Sequence, residues 1–235
     1  MKKMTIQDAE LLAQRFRTET GISFSEPINV KTLLRKYNIL TMYRPLSNES
    51  YGISIRTGNA RFIMVNSNTT RGRQHFTIAH EIFHLFYDDD PKPHICNGMA
   101  TVIEKNANLF AAALLIPREG LLREIPEEEM LGHNPSLATI LRLEQFFGVS
   151  RNSLLIRLKD IGIIDKKKYE ALNSIAIKES ARAYGYDTSL YEKGNENMVI
   201  GDFGEKARRL FEENKISEGH YVELLNMIGC GGYKD

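Results

Sequence analysis

The chain has 235 residues, 42% of them hydrophobic, with 31 Lys and Arg against 30 Asp and Glu for a formal net charge of +1. That length supports a substantial buried core, and the balanced charge gives no chain-wide reason to expect nucleic acid or an anionic membrane as partner. Cys96 and Cys230 have no paired spacing, so they make neither a disulfide framework nor a C-x-x-C metal site and fit a reducing compartment. Residues 1–8 lack the apolar core of a signal peptide, and no stretch approaches the length of a membrane span. A cytoplasmic protein without a membrane partner is expected.

In chain order, residues 5–20 predict an amphipathic helix, with Thr5 as N-cap, Ala9, Leu12, Ala13 and Phe16 as its apolar stripe, and Gly21 as its stop. A short helix over 30–37 follows, turning Leu33 and Leu34 inward. Residues 39–43, 51–56 and 61–65 are short β-branched and aromatic runs, with 57–60 as a hairpin turn, so a small antiparallel sheet is expected next. An exposed strand of such a sheet can hold an extended peptide by backbone pairing.

The segment from Arg73 then reads as an amphipathic helix whose apolar stripe is Phe76, Ala79, Phe83 and Phe86. It carries His80-Glu81-Ile82-Phe83-His84, an H-E-x-x-H. Residues four apart on a helix differ by about 40° of rotation and one turn of rise, so both imidazoles point at one metal ion. Glu81, rotated about 100° from His80, reaches the edge of the same site, where a base acting on metal-activated water stands. A catalytic zinc takes a third protein ligand and keeps its fourth position open. The nearest candidates are Asp90 and His94, but the glycine that a metzincin arrangement places halfway is here Tyr87. Residues 88–98 form a polar loop broken by two prolines, with the aspartates at 88–90 as a solvated helix end. His94 and Tyr87 can each be imagined donating to a substrate carbonyl, although nothing in the sequence orients them. A second, strongly apolar helix is expected over 102–117. Glu104 lies at its polar start and Asn108 one turn later on the same side, where it can hold a ligating histidine by its other ring nitrogen. A set of His80, His84 and Glu104 gives the two-histidine, one-glutamate site used for peptide hydrolysis; the competing reading makes Glu104 a carboxylate placed for the helix dipole alone.

The runs 73–84 and 104–117 together closely resemble the ImmA/IrrE family of metallopeptidases, with both motifs in the same order. The resemblance is specific over about 50–117. It implies zinc ligation by His80, His84 and Glu104 with Glu81 as general base. It also implies an intracellular protein, since characterised members cleave or relieve transcriptional repressors of mobile elements or stress regulons. The chain departs from the family at Phe83, where glycine is common, at His75, where arginine is common, and at Asn106, where a second glutamate often lies. None of these removes a ligand.

Beyond Pro117, two helices over 135–158 joined at Gly148 have a helix-turn-helix shape, with Ser150 as cap and Arg151, Asn152 and Arg157 on the second helix as candidate DNA contacts. Near-neutral charge and few basic neighbours favour a packed hairpin over DNA binding. Helices over 166–184, 203–214 and 217–228 follow, with Gly229, Gly231 and Gly232 at the end, and carry no chemical motif.

The fold expected is α+β: a small antiparallel sheet packed on zincin-like catalytic helices, followed by a mostly helical C-terminal region. The expected division is 1–118 peptidase, 119–164 helix-turn-helix-like segment and 165–235 helical extension. The expected function is a zinc (Zn2+)-dependent endopeptidase acting on a protein substrate, a transcriptional repressor. The alternative is a regulator that binds DNA or a repressor without cleaving it.

Overall fold

The computed structural model describes residues 2–47, 49–88, 93–96 and 101–229. Asp89, Asp90, Cys230, Gly231, Gly232 and much of the 88–98 loop lie outside the described residues. The fold is α+β, a small sheet against helices with a helical C-terminal region. Helix α1 (Ile6–Thr20) is capped by Thr5, whose hydroxyl accepts from the Asp8 amide, and stops at Gly21, which is left-handed at φ 67°. Helix α2 (Val30–Lys36) begins at Asn29 and turns Val30, Leu33 and Leu34 inward.

Strands β1 (Ile39–Arg44), β2 (Gly52–Thr57), β3 (Ala60–Asn66), β4 (His94–Cys96) and β5 (Val199–Ile200) form one sheet in the order β4-β2-β3-β1-β5. The hairpin β2–β3 is antiparallel, as the turn at 57–60 requires, but β1 and β3 run parallel, Ile39 opposite Arg61 through Arg44 opposite Asn66. The sheet is therefore mixed rather than purely antiparallel. The chain from β1 crosses to the far edge of the hairpin before β2 begins, so β3 returns in the direction of β1. Two strands are additions to the expected three. β4 pairs with residues 52–54 of β2, and β5 comes back from the C-terminal region to pair with β1.

Helix α3 (Arg71–Tyr87) lies across β2 and β3 and packs along α4 (Val102–Leu115), which α1 also covers. Short helices α5 (Arg118–Glu124) and α6 (Glu127–Leu131) lead to α7 (Leu137–Phe147) and α8 (Arg151–Asp160). The span 166–184 is not one helix but two, α9 (Lys166–Asn173) and α10 (Ile177–Ala183), followed by a single 3-10 turn at Ser189–Tyr191. The break coincides with a carbonyl taken by another element: Ile175 O accepts from the buried Arg151 guanidinium. Helices α11 (Phe203–Glu212) and α12 (Glu218–Met227) complete the chain. Among the described residues no helix is long and apolar enough to cross a membrane.

One hydrophobic core joins α1, the sheet, α3, α4 and α7 to α9, with Phe16, Phe83, Phe110, Ile140 and Leu155 among its buried members. Polar groups tie distant segments to the start of α3. The Arg71 amide donates to Glu192 O and its guanidinium to Ser189 O, while Gln74 donates to Gly194 O and accepts from Asn195. His75 Nδ1 lies 2.8 Å from Gly148 O, at the turn between α7 and α8. The outcome is that α3 is clamped along its first turns by two sequence-remote pieces of chain, residues 189–195 and the turn at Gly148.

Candidate metal centre

Thr70 caps α3 by accepting from the Arg73 amide, and the helix then carries His80 and His84 one turn apart, both buried beneath β2 and α4. Thr101 caps α4 by accepting from the Glu104 amide, which sets the Glu104 carboxylate in the first turn, facing α3. The two helices bring three donor groups together. His80 Nε2 and His84 Nε2 are 3.3 Å apart, and the Glu104 carboxylate spans them, with Oε2 3.2 Å from His80 Nε2 and Oε1 3.4 Å from His84 Nε2. A tetrahedral ion bonded at about 2.0–2.1 Å separates its donors by about 3.3 Å. The triangle has the size a divalent cation requires, and two imidazoles with one carboxylate are a chemically suitable donor set.

The other ring nitrogens are held. His80 Nδ1 is 3.0 Å from Asn108 Oδ1, and His84 Nδ1 is 3.0 Å from Asp88 Oδ2. Each partner accepts a hydrogen bond from Nδ1–H, which turns each Nε2 toward the triangle and fixes the ring orientation. Burial works against charge on Glu104, but hydrogen bonds from His80 and His84 outweigh it and hold the carboxylate well below the usual range. Burial likewise opposes charge on His80, yet the adjacent Cys96 and Glu104 hold its pKa up at about 10. A cation entering the triangle takes the place of that proton, so metal uptake releases acid.

Glu81 is fully buried beside the triangle. Burial pushes its carboxyl up from the ordinary value. Ser54 Oγ donates to Oε2 at 2.6 Å, and Oε1 has no hydrogen-bond partner among the described residues. A carboxylate with one oxygen anchored, the other without a partner and its pKa raised by burial is suited to take and return a proton.

The family-model comparison matches residues 34–159, more than half of the chain, to the IrrE N-terminal-like peptidase domain. The chain belongs to the IrrE N-terminal-like metallopeptidase family. No curated protein matches it significantly. Within this member of the family, β2 reaches α3 because residue 52 is glycine. A Cβ there would stand 2.6 Å from Thr77 Cγ2 and 3.1 Å from Glu81 Oε1. Gly52→Ala therefore has to push β2 off the helix. We expect it to cost roughly 1–3 kcal/mol of stability by overpacking, read by thermal melting, and to depress peptidase activity more than metal affinity, because no donor atom moves directly.

Two groups near the centre were outside the expected ligand set. β4 turns His94 and Cys96 toward it while Ile95, between them, is exposed. His94 Nε2 lies 3.2 Å from Glu104 Oε1, off the line of a hydrogen bond, and the His94 ring stacks on that of His84 at 3.5 Å. The Cys96 thiol is buried within 4.8 Å of donor atoms of His80 and Glu81. His94 was a candidate ligand and donor from its place just downstream of the H-E-x-x-H, and the alternation His-x-Cys puts both residues on one face of a strand.

The helix-turn-helix shape is present, with Gly148 left-handed at φ 65° between α7 and α8 and Ser150 capping α8. Two of its three candidate DNA contacts are turned inward. Arg151 is fully buried, its Nε 2.6 Å from Glu144 Oε1, and Arg157 is buried with Nη2 2.7 Å from Glu10 Oε1 and Nε on Ile116 O. Both guanidiniums are taken up by partners within the protein. Asn152 is exposed, but its side-chain oxygen accepts from the Tyr169 hydroxyl.

Proposed function

We propose that this metallopeptidase is a zinc-dependent endopeptidase that cuts a transcriptional repressor, with His80, His84 and Glu104 holding the ion and Glu81 moving the proton. The observation that carries the reading is the donor triangle of 3.2–3.4 Å with the open, buried oxygen of Glu81 beside it. Zinc is the natural choice for two imidazole nitrogens and one carboxylate oxygen. Bound there, it would polarise the scissile carbonyl and make water more acidic.

The protein's own groups account for the rest. Glu81 Oε1 takes the proton that water loses as its oxygen bonds to the carbonyl carbon, then passes it to the amine nitrogen as the C–N bond breaks. Ser54 keeps the second Glu81 oxygen from turning away. Asn108 and Asp88 hold the imidazoles so that little reorganisation accompanies the reaction. β4 is the edge strand of the sheet on the metal side, so an extended peptide pairing with its outer backbone would be led past the centre. A repressor as that peptide follows from the family resemblance.

The test is direct. Zinc-loaded protein incubated with repressors encoded beside its own gene is expected to make one discrete cut, lost with a chelator and restored by added zinc. Repressors that all stay intact with stoichiometric zinc bound would sink the reading.

A further inference from the structure

His94 occupies a position that the ligand triangle does not use. Two imidazoles bound through Nε2 to one tetrahedral ion have ring centres about 5 Å apart. His80 and His84 meet that at 5.0 Å, whereas His84 and His94 are stacked nearly parallel at 3.5 Å. Rings so stacked point their nitrogens side by side rather than at one centre, which excludes His94 as a fourth ligand in this arrangement. Yet its Nε2 is buried, 3.2 Å from Glu104 Oε1 and without a hydrogen-bond partner among the described residues, and the ring offers a nitrogen within 4.8 Å of the donor atoms of His80, His84 and Glu104. The ring itself is 20% exposed, while Nε2 is covered. Tyr87, the other candidate donor, is turned the other way, its ring against Phe83 and Phe110 in the aromatic core.

Resting on the peptidase reading above, we infer that His94 touches the substrate and donates its Nε2–H to the scissile carbonyl oxygen as negative charge develops there. Pairing of β4 with residues 52–54 of β2 and stacking on His84 fix the ring before substrate arrives. Such preorganisation is what makes a donor worth more in the transition state than in water. In the step it serves, water's oxygen bonds to the carbonyl carbon and the C=O π pair moves onto the carbonyl oxygen. His94 shares its proton with that oxygen without surrendering it, and the pair returns to carbon as the C–N bond breaks.

The experiment titrates the full-length, zinc-loaded protein with a phosphinic peptide, whose tetrahedral, anionic phosphorus group mimics the carbonyl after water has added. His94→Ala is expected to bind this probe roughly 10²-fold more weakly than the parent, with zinc affinity unchanged by chelator competition. His94→Gln, which retains an N–H, should recover part of the loss. Equal probe affinity in the parent and His94→Ala overturns the assignment and leaves the metal centre standing. A matching loss of zinc from His94→Ala makes the residue a ligand and also overturns it. A parent that takes zinc but not the probe counts against the donor role, and a parent that takes up no zinc removes the peptidase reading itself.

Discussion

Glu81→Gln is expected to keep the bound metal and lose cleavage by roughly 10²–10⁴-fold, the usual contribution of a positioned proton-transfer group. The substitution is nearly isosteric. Its amide oxygen can still accept from Ser54, which holds Glu81 Oε2 at 2.6 Å, while the amide nitrogen takes the place of the open Oε1 and cannot accept a proton. Metal affinity should hold, because the donor triangle is built from His80, His84 and Glu104. Metal content and repressor cleavage, measured on the same preparation, check both halves. A variant that still relieves repression without cutting would favour capture of the repressor over its hydrolysis. One that loses its metal would make Glu81 a structural member of the centre.

Arg151→Met is expected to cost about 3–5 kcal/mol, the range for breaking a buried ion pair by removing one partner. For a protein of this size that lowers the melting temperature by roughly 10 °C. Arg151 and Glu144 are both fully buried, and their ion pair is surrounded by further bonds: Arg151 reaches Ile175 O and Ser180 Oγ, and the Tyr191 hydroxyl donates to Glu144 at 2.6 Å. Removing the guanidinium strands a carboxylate whose pKa burial has already pushed up. The double variant Arg151→Met with Glu144→Leu should regain much of the loss, since apolar replacement of a whole buried pair is often near neutral. Differential scanning calorimetry separates the cases, and an unchanged melting temperature in the single variant would show that the pair carries little of the local stability.

The elements that were legible in the sequence are those set by local chemistry. Thr5, Gly21 and Ser150 mark helix ends because their caps form within three or four residues. His80 and His84 converge because the helix period alone brings them together, and Glu104 is readable because a capped helix start follows the loop. What escaped was decided over long distances. The parallel pairing of β1 with β3 depends on where the β2–β3 hairpin docks, which no local pattern encodes. A three-residue strand such as β4 is too short for periodicity to declare, so His94 and Cys96 could not be oriented in advance. Arg151 and Arg157 read as surface charges because charged residues are rarely buried unless paired, and their partners Glu144 and Glu10 become neighbours only after α8 packs.

The clamp on α3 has a consequence for the order of events during synthesis. Arg71 and Gln74 take partners at residues 189–195, about 120 positions downstream. Those bonds cannot close until that later stretch has left the ribosome, and domains in general fold as units as the chain emerges. The helix bearing His80 and His84 thus stays without its full bracing while most of the polypeptide is being made.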